Sequence, residues 1–234
     1  MEWLRQLFKG PPELADTEKS RLAEWKALHA PALDTPITES RYVVVDVETS
    51  GLNLVKDRLI AIGAVAVNGG RVDLADSLEV VLRQDVASNK ENILIHGIGG
   101  TAQTEGLPAE EALLGFLEFL GTSPLVAFHV TFDETMIRKA MKAHLGFRFE
   151  HPWVDLAYVA PALYPDLGVR YRALDDWTGH FRIGNYARHS ALADALSTAQ
   201  LLQVLSRRLG ARKASTFKRM RDLDKAQRMT QWRM

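Results

Sequence analysis

An α/β fold, a mixed sheet flanked by helices, is what the 234-residue sequence predicts, and three observations predict it. Apolar runs come first, at 41–47, 58–67 and 71–82, and Asn68-Gly69-Gly70 joins the last two with the residues a tight hairpin turn wants. Short apolar strands at 125–128 and 153–155 then alternate with stretches of helical spacing. An antiparallel meander followed by alternating β and α segments suggests parallel strands added to the sheet and helices covering it.

Residues 1–40 read as an N-terminal helical extension. Helical patches at 2–9 and 16–29 are broken by Gly10-Pro11-Pro12, and Pro31 and Pro36 lead into the first strand. Val43, Val44 and Val45 make that strand one buried on both faces, and 71–82 alternates enough to leave one face exposed. A loop is expected over 84–106, and a helix over 108–120 with proline in its first turn. Further helices are expected at 133–145, near 156–163 and 172–179, and most clearly over 190–209, where Leu192, Leu196, Ala199, Leu202 and Leu205 form one stripe.

The length suits one substantial domain with appendages. The chain has no cysteine, which excludes disulfides and thiolate metal sites and leaves oxygen or histidine as the only ligands for a metal. No apolar run approaches the ~20 residues of a membrane span, and the start MEWLRQLFKG is no signal peptide, so a cytoplasmic location is expected. The net charge of zero is unevenly spread: residues 207–234 carry ten Lys/Arg against two Asp, leaving the preceding body at −8. A basic C-terminal helical tail on an acidic body can serve a polyanion partner, and it equally fits a solvated amphipathic helix.

Acids stand where apolar strands end. In VVVDVETSGL, Asp46 and Glu48 follow the valines, and alternation places i and i+2 on one side of a strand. Two carboxylates so close raise each other's pKa unless a cation intervenes, and oxygen ligands on a rigid strand suit Mg²⁺ or Mn²⁺. The same pair would also serve to cap turns or to face Arg41 or Arg58. Asp133 follows the strand LVAF and opens a helix, where the dipole favours an acid in any case. Asp194 lies five residues after His189. The two converge if His189 is in the loop, with Ser190 capping the helix and Asp194 just inside it. A histidine held beside a metal-bound carboxylate is placed to take a proton from water.

DVETSGL, VAFHVTFD and HSALAD, in that order and at those separations, resemble the three exonuclease motifs of the DnaQ-like family. That family includes the proofreading epsilon subunit of bacterial DNA polymerase III and RNase T. The H-x-x-x-x-D form of the third motif is similar to the DEDDh branch, and ILIHGI at 93–98 resembles the segment between its first two motifs. The resemblance covers about residues 41–206 and implies a ribonuclease-H-like exonuclease domain there. It also implies two divalent ions, Mg²⁺ or Mn²⁺, held by Asp46, Glu48, Asp133 and Asp194, with His189 as general base. The implied reaction releases nucleoside 5′-monophosphates from the 3′ end of single-stranded DNA.

Around the metals, the resemblance points to Thr49, Ser50, Gly51 and Leu52 beside the terminal nucleotide, glycine fitting a close backbone approach. Leu52, His96 and Phe132 are candidates for stacking on bases, although Phe132 fits the core and His96 fits a hydrogen bond within its loop. In the second motif Phe128-His129 stand where the family often has His-Asn. His129 is thus either a donor to phosphate or ribose, or a satisfied core histidine. Two other readings stand beside the leading one: RNA 3′-end trimming, and an inactive accessory module docking on a DNA polymerase or a replication or repair partner through residues 1–40 or the tail.

Overall fold

The computed structural model describes residues 12–185, 187–210 and 215–231; the helical patch expected at 2–9 lies outside them. One five-stranded sheet organises the fold, in the order β3-β2-β1-β4-β5. Strands β1 (Arg41–Thr49), β2 (Leu59–Asn68) and β3 (Arg71–Val81) form the antiparallel meander. Strands β4 (Leu125–Ala127) and β5 (Trp153–Asp155) join β1 in parallel. The mixed sheet predicted from the sequence is therefore present, with β1 at its centre and the change from antiparallel to parallel pairing on β1 itself.

The helices are α1 (Asp16–Lys26), α2 (Lys90–His96), α3 (Gly100–Thr104), α4 (Ala109–Leu120), α5 (Val130–Leu145), α6 (Leu156–Leu163), α7 (Pro165–Gly168), α8 (Leu174–His180), α9 (Ala191–Gly210) and α10 (Phe217–Gln231). Several differ from expectation. The loop of 84–106 holds α2 and α3, and the seven-residue α2 is capped by the Asn89 side chain on the Asn92 N–H and closed by left-handed Gly97. Helix α5 starts at Val130 rather than Asp133, because left-handed His129 (φ 69°) turns the chain straight out of β4. Helix α1 ends at Lys26, and α8 runs from Leu174 to His180.

Two apolar layers sandwich the sheet. Val43, Val45 and Val47 face a core shared with α4 and α5, including Phe116, Leu117, Ile137 and Met141. Tyr42 and Val44 face the other, shared with α6 and α9, including Leu156, Val159, Ala195, Ala199 and Leu202. Burial on both faces is why β1 and β2 read as near-continuous apolar runs, whereas the outer strand β3 leaves most of its residues exposed or half-buried.

The flanking segments join these cores. Leu14 and Leu22 belong to the first core, Trp25 donates to the Gly121 carbonyl at 3.0 Å, and Arg21 binds Glu111 and Glu118 on α4. At the other end, Phe217 and Met220 of α10 lie in the second core, with the Phe217 ring edge-on to Tyr42 at 5.6 Å. Among the described residues no helix is long and apolar enough to cross a membrane. Because Phe217 is fully buried, Phe217→Ala is expected to cost about 3–5 kcal/mol of stability, read as a lowered midpoint in urea unfolding of the full chain.

Candidate active site

Alternation along β1 assigns its two acids to a face. Tyr42 and Val44 point into the second core, so Asp46 and Glu48 project on that same side, beyond the last apolar contact and toward α9. Asp46 pairs across the ladder with Gly63 of β2. A Cβ at Gly63 would lie 2.1 Å from the Ala191 carbonyl carbon and 2.2 Å from the Leu192 nitrogen. The first turn of α9 therefore rests on bare β2 backbone, next to Asp46. Asp194 lies in that turn, with its N–H on the Ser190 carbonyl at 2.9 Å.

The consequence is a cluster: ligand oxygens of Asp46, Glu48 and Asp194 all lie within 4.8 Å of one another. Asp194 is buried and well supplied with donors. It accepts from the His189 backbone N–H at 3.1 Å, from Arg188 Nη1 at 2.7 Å and from Asn185 Nδ2. His189 does lie in the loop before the helix, in a left-handed conformation (φ 61°) and exposed, and it is its backbone that the structure joins to Asp194. Asp133, buried near the start of α5, stands outside the three-residue cluster. Its helix packs against the first core, on the opposite face of the sheet, so it approaches the end of β1 from the other side.

Electrostatics mark the site as a place for a cation. Burial first, then the charges of Asp133, Asp194 and Glu48, push Asp46 well above the usual carboxylate range. Burial, then Asp194, raises Glu48 to about 8. Burial also raises Asp133, and the nearby charge of Asp155 adds to it. Arg188 is the cation that partly offsets the repulsion at Asp46 and Glu48. Among the described hydrogen bonds, none reaches the side chain of Asp46 or Glu48, so these half-buried acids have no donor from the described residues. Three convergent carboxylates with no sulfur donor fit a hard divalent cation, and their mutual spacing allows one ion to touch all three.

The surrounding candidates divide. Thr49 is buried, its hydroxyl donating to the Gly51 carbonyl at 2.7 Å, and Ser50 bonds Asp57 at 2.9 Å. The close approach that Gly51 permits is to the chain's own Asp57, whose Oδ2 would stand 2.5 Å from an added Cβ. Leu52 is 86% exposed, free to meet a ligand. Lys139 holds this loop from below, donating to the carbonyls of Val55 and Asp57 at 2.6 Å. His96 is buried and held within its own loop by the Ser88 hydroxyl and the Ile98 N–H. Phe132 is half-buried against the first core. His129 is exposed, which overturns the core-histidine reading: its left-handed backbone turns the residue outward, edge-on to Phe128 at 4.8 Å.

Four residues at the site were missed from the sequence: Gly63, Asn185, Arg188 and Asp155. Asp155 had a usable signal, because it ends the apolar strand WVD as Asp46 ends VVVD. It is 1% exposed and accepts the N–H groups of His129 at 2.9 Å and Val130 at 3.1 Å, where α5 begins. The other three make contacts set by tertiary packing, for which local sequence carries no mark.

A mixed sheet with acids gathered beside its central strand is the architecture of ribonuclease-H-like nucleases. The family model for exonucleases of the RNase T type matches residues 43–202, and the chain belongs to that family. It is 30% identical over 192 residues to the PolC-type DNA polymerase III of Thermotoga maritima, covering 81% of this chain and 14% of that polymerase. The chain thus spans a small part of the curated relatives it matches. Exonuclease X in complex with 5′ overhanging duplex DNA superposes with a TM-score of 0.62 at 19% identity, covering 78% of this chain and 99% of that one. E. coli Exonuclease I in complex with a dT13 oligonucleotide gives 0.61 at 18%, covering 74% and 42%.

Two outcomes are expected. Gly63→Ala forces α9 off β2, costing about 1–3 kcal/mol of stability and displacing Asp194, so thermal melting and divalent-cation binding should both weaken. Because Glu48 keeps in the folded state a proton that the unfolded chain releases near 4.5, stability of cation-free protein should fall as pH rises from about 4.5 to about 8. Added Mn²⁺ should therefore raise the melting temperature more at pH 8 than at pH 6, as scanning calorimetry at both pH values would show.

Proposed function

We propose that this chain removes nucleoside 5′-monophosphates one at a time from the 3′ end of single-stranded DNA. The observation that carries this reading is the convergence of Asp46, Glu48 and Asp194 within 4.8 Å, with His189 on the adjacent loop. Asp46, Glu48 and Asp194 would hold divalent cations, Mg²⁺ or Mn²⁺, and Asp133 from the opposite face would complete a site for two ions. The chemistry such ions supply when bound is a lowered pKa for water and stabilisation of charge on the attacking and leaving oxygens.

The chain's own residues do the rest. The exposed imidazole of His189 takes the proton of the attacking water, the role for which histidine is suited near neutral pH. Its backbone bond to Asp194 keeps the loop that carries it in register with the acids. Exposed Leu52 offers an apolar surface for the terminal base, which suits stacking without sequence preference. Exposed His129 offers a donor to the phosphate or ribose. Support for DNA over RNA comes from the kind of protein the relatives are, a DNA polymerase, and from the DNA held by the structural neighbours. Residues 41–206 form the exonuclease domain in this reading, and a replication or repair polymerase is the class of partner.

Purified protein with Mg²⁺ or Mn²⁺ is expected to shorten a 5′-labelled single-stranded oligonucleotide stepwise from its 3′ end, and EDTA should stop it. Asp194→Ala and His189→Ala should each lower kcat by at least about 10²-fold with the circular dichroism spectrum unchanged. Matched DNA and RNA oligonucleotides assayed in parallel decide the substrate. Release of no mononucleotide from either, with Mn²⁺ present, would sink the proposal.

A further inference from the structure

Helix α10 lies in the basic C-terminal segment, outside both the matched motifs and the proposed ligands, yet one of its side chains reaches toward the site. Arg228 Nη2 donates to Asp155 Oδ2 at 2.8 Å, and Nε donates to Asp224. Asp224 in turn accepts the Asp155 backbone N–H at 3.1 Å. Asp155 is thus fixed by α10 at two points, through its carboxylate and through its backbone. The guanidinium also lies over the Tyr158 ring at 4.0 Å, and α10 packs along α6 and β5.

Asp155 uses the rest of its carboxylate on the start of α5. Oδ1 accepts the His129 N–H and Oδ2 the Val130 N–H, while Oδ1 also caps α6 at Ala157. No side chain of α5's own N-cap satisfies that helix end, so Asp155 is its cap, and a carboxylate there is favoured by the helix dipole. The capped turn includes His129 in the left-handed region, a conformation that a non-glycine residue keeps only when its surroundings hold it. Asp133 lies three residues past Val130. Release of the cap would let His129 relax and let the first turn of α5, with Asp133, drift from the end of β1.

We infer that Arg228, acting through Asp155, is a positioning residue for Asp133, and that α10 is therefore part of the catalytic apparatus. This rests on the proposed role of Asp133 as a metal ligand. Partners that orient the groups around a metal ligand typically change affinity or rate by 10-fold or more when lost.

The test is Mn²⁺ binding by the full-length chain, read as free Mn²⁺ in electron paramagnetic resonance, with kcat and KM on a single-stranded oligonucleotide measured beside it. Arg228→Met keeps the packing over Tyr158 but removes the charge, and should weaken Mn²⁺ binding about tenfold and lower kcat, leaving KM within about twofold. Arg228→Lys should recover part of the loss, since a cation returns without the planar fork. Leu22→Ala, in the core under α1, should lower the melting temperature while leaving Mn²⁺ affinity at the wild-type value. If Arg228→Met does not fold, Asp155→Asn carries the same comparison. Unchanged Mn²⁺ affinity in Arg228→Met, or an equal loss in Leu22→Ala, overturns the positioning role alone. A wild type that binds no Mn²⁺ overturns the metal reading beneath it, and binding without nuclease activity overturns only the proposed reaction.

Discussion

The closeness of α9 to the sheet is the constraint on which the site depends. Side chains ordinarily hold a helix away from the strands beneath it, and a helix at that distance could not bring Asp194 beside Asp46. Gly63 removes the spacer, and it does so opposite Asp46 in the ladder. The approach works against a strong opposing force, since Asp46, Glu48 and Asp194 repel one another in a partly desolvated place. What resists that repulsion is the rigidity of β1, whose apolar residues are locked into cores on both faces. A less buried strand would let its acidic end splay.

How much of this was legible in the sequence follows from the range of each signal. Strand β1 and its two acids were readable because both rest on a two-residue period. Helix α9 was readable because Leu202 and Leu205 continue a stripe over several turns. The three motifs were separately weak and informative together, since their order and spacing constrain one another. By contrast, α2 is seven residues long and depends on the Asn89 cap and left-handed Gly97, too short for periodicity to detect. The left-handed turn at His129 is equally silent, because even histidine, enriched in that region, adopts it at only a small minority of positions. It is imposed from Asp155, 26 residues away.

That last contact also explains why Asp133 begins in a different place from the other acids. In the sequence all four acids look alike, each at the end of an apolar segment or the start of a helix. The sheet separates them: Asp46, Glu48 and Asp194 share the face of the second core, while α5 covers the first. Only the end of β1, where the sheet stops, lets groups from both faces meet. A site that draws ligands from both sides of a sheet must lie at such an end.

Parallel pairing decides which end. β1, β4 and β5 run the same way, so their carboxyl ends lie along one edge, the place where open α/β sheets bind ligands. Acids stand at or beyond all three: Asp46 and Glu48 on β1, Asp133 after β4, Asp155 on β5. Burial pushes all of them up, and it is their hydrogen bonding that differs. Asp155 is surrounded by donors, three backbone N–H groups and Arg228, and needs nothing further. Asp46 and Glu48, half-buried, receive no hydrogen bond among the described residues, and burial and the neighbouring acids push both above the usual carboxylate range. An acid whose partners are all within the chain is a brace. An acid that the fold desolvates and leaves without donors suits a cation from solution, and that is what makes this edge of the sheet the candidate metal site.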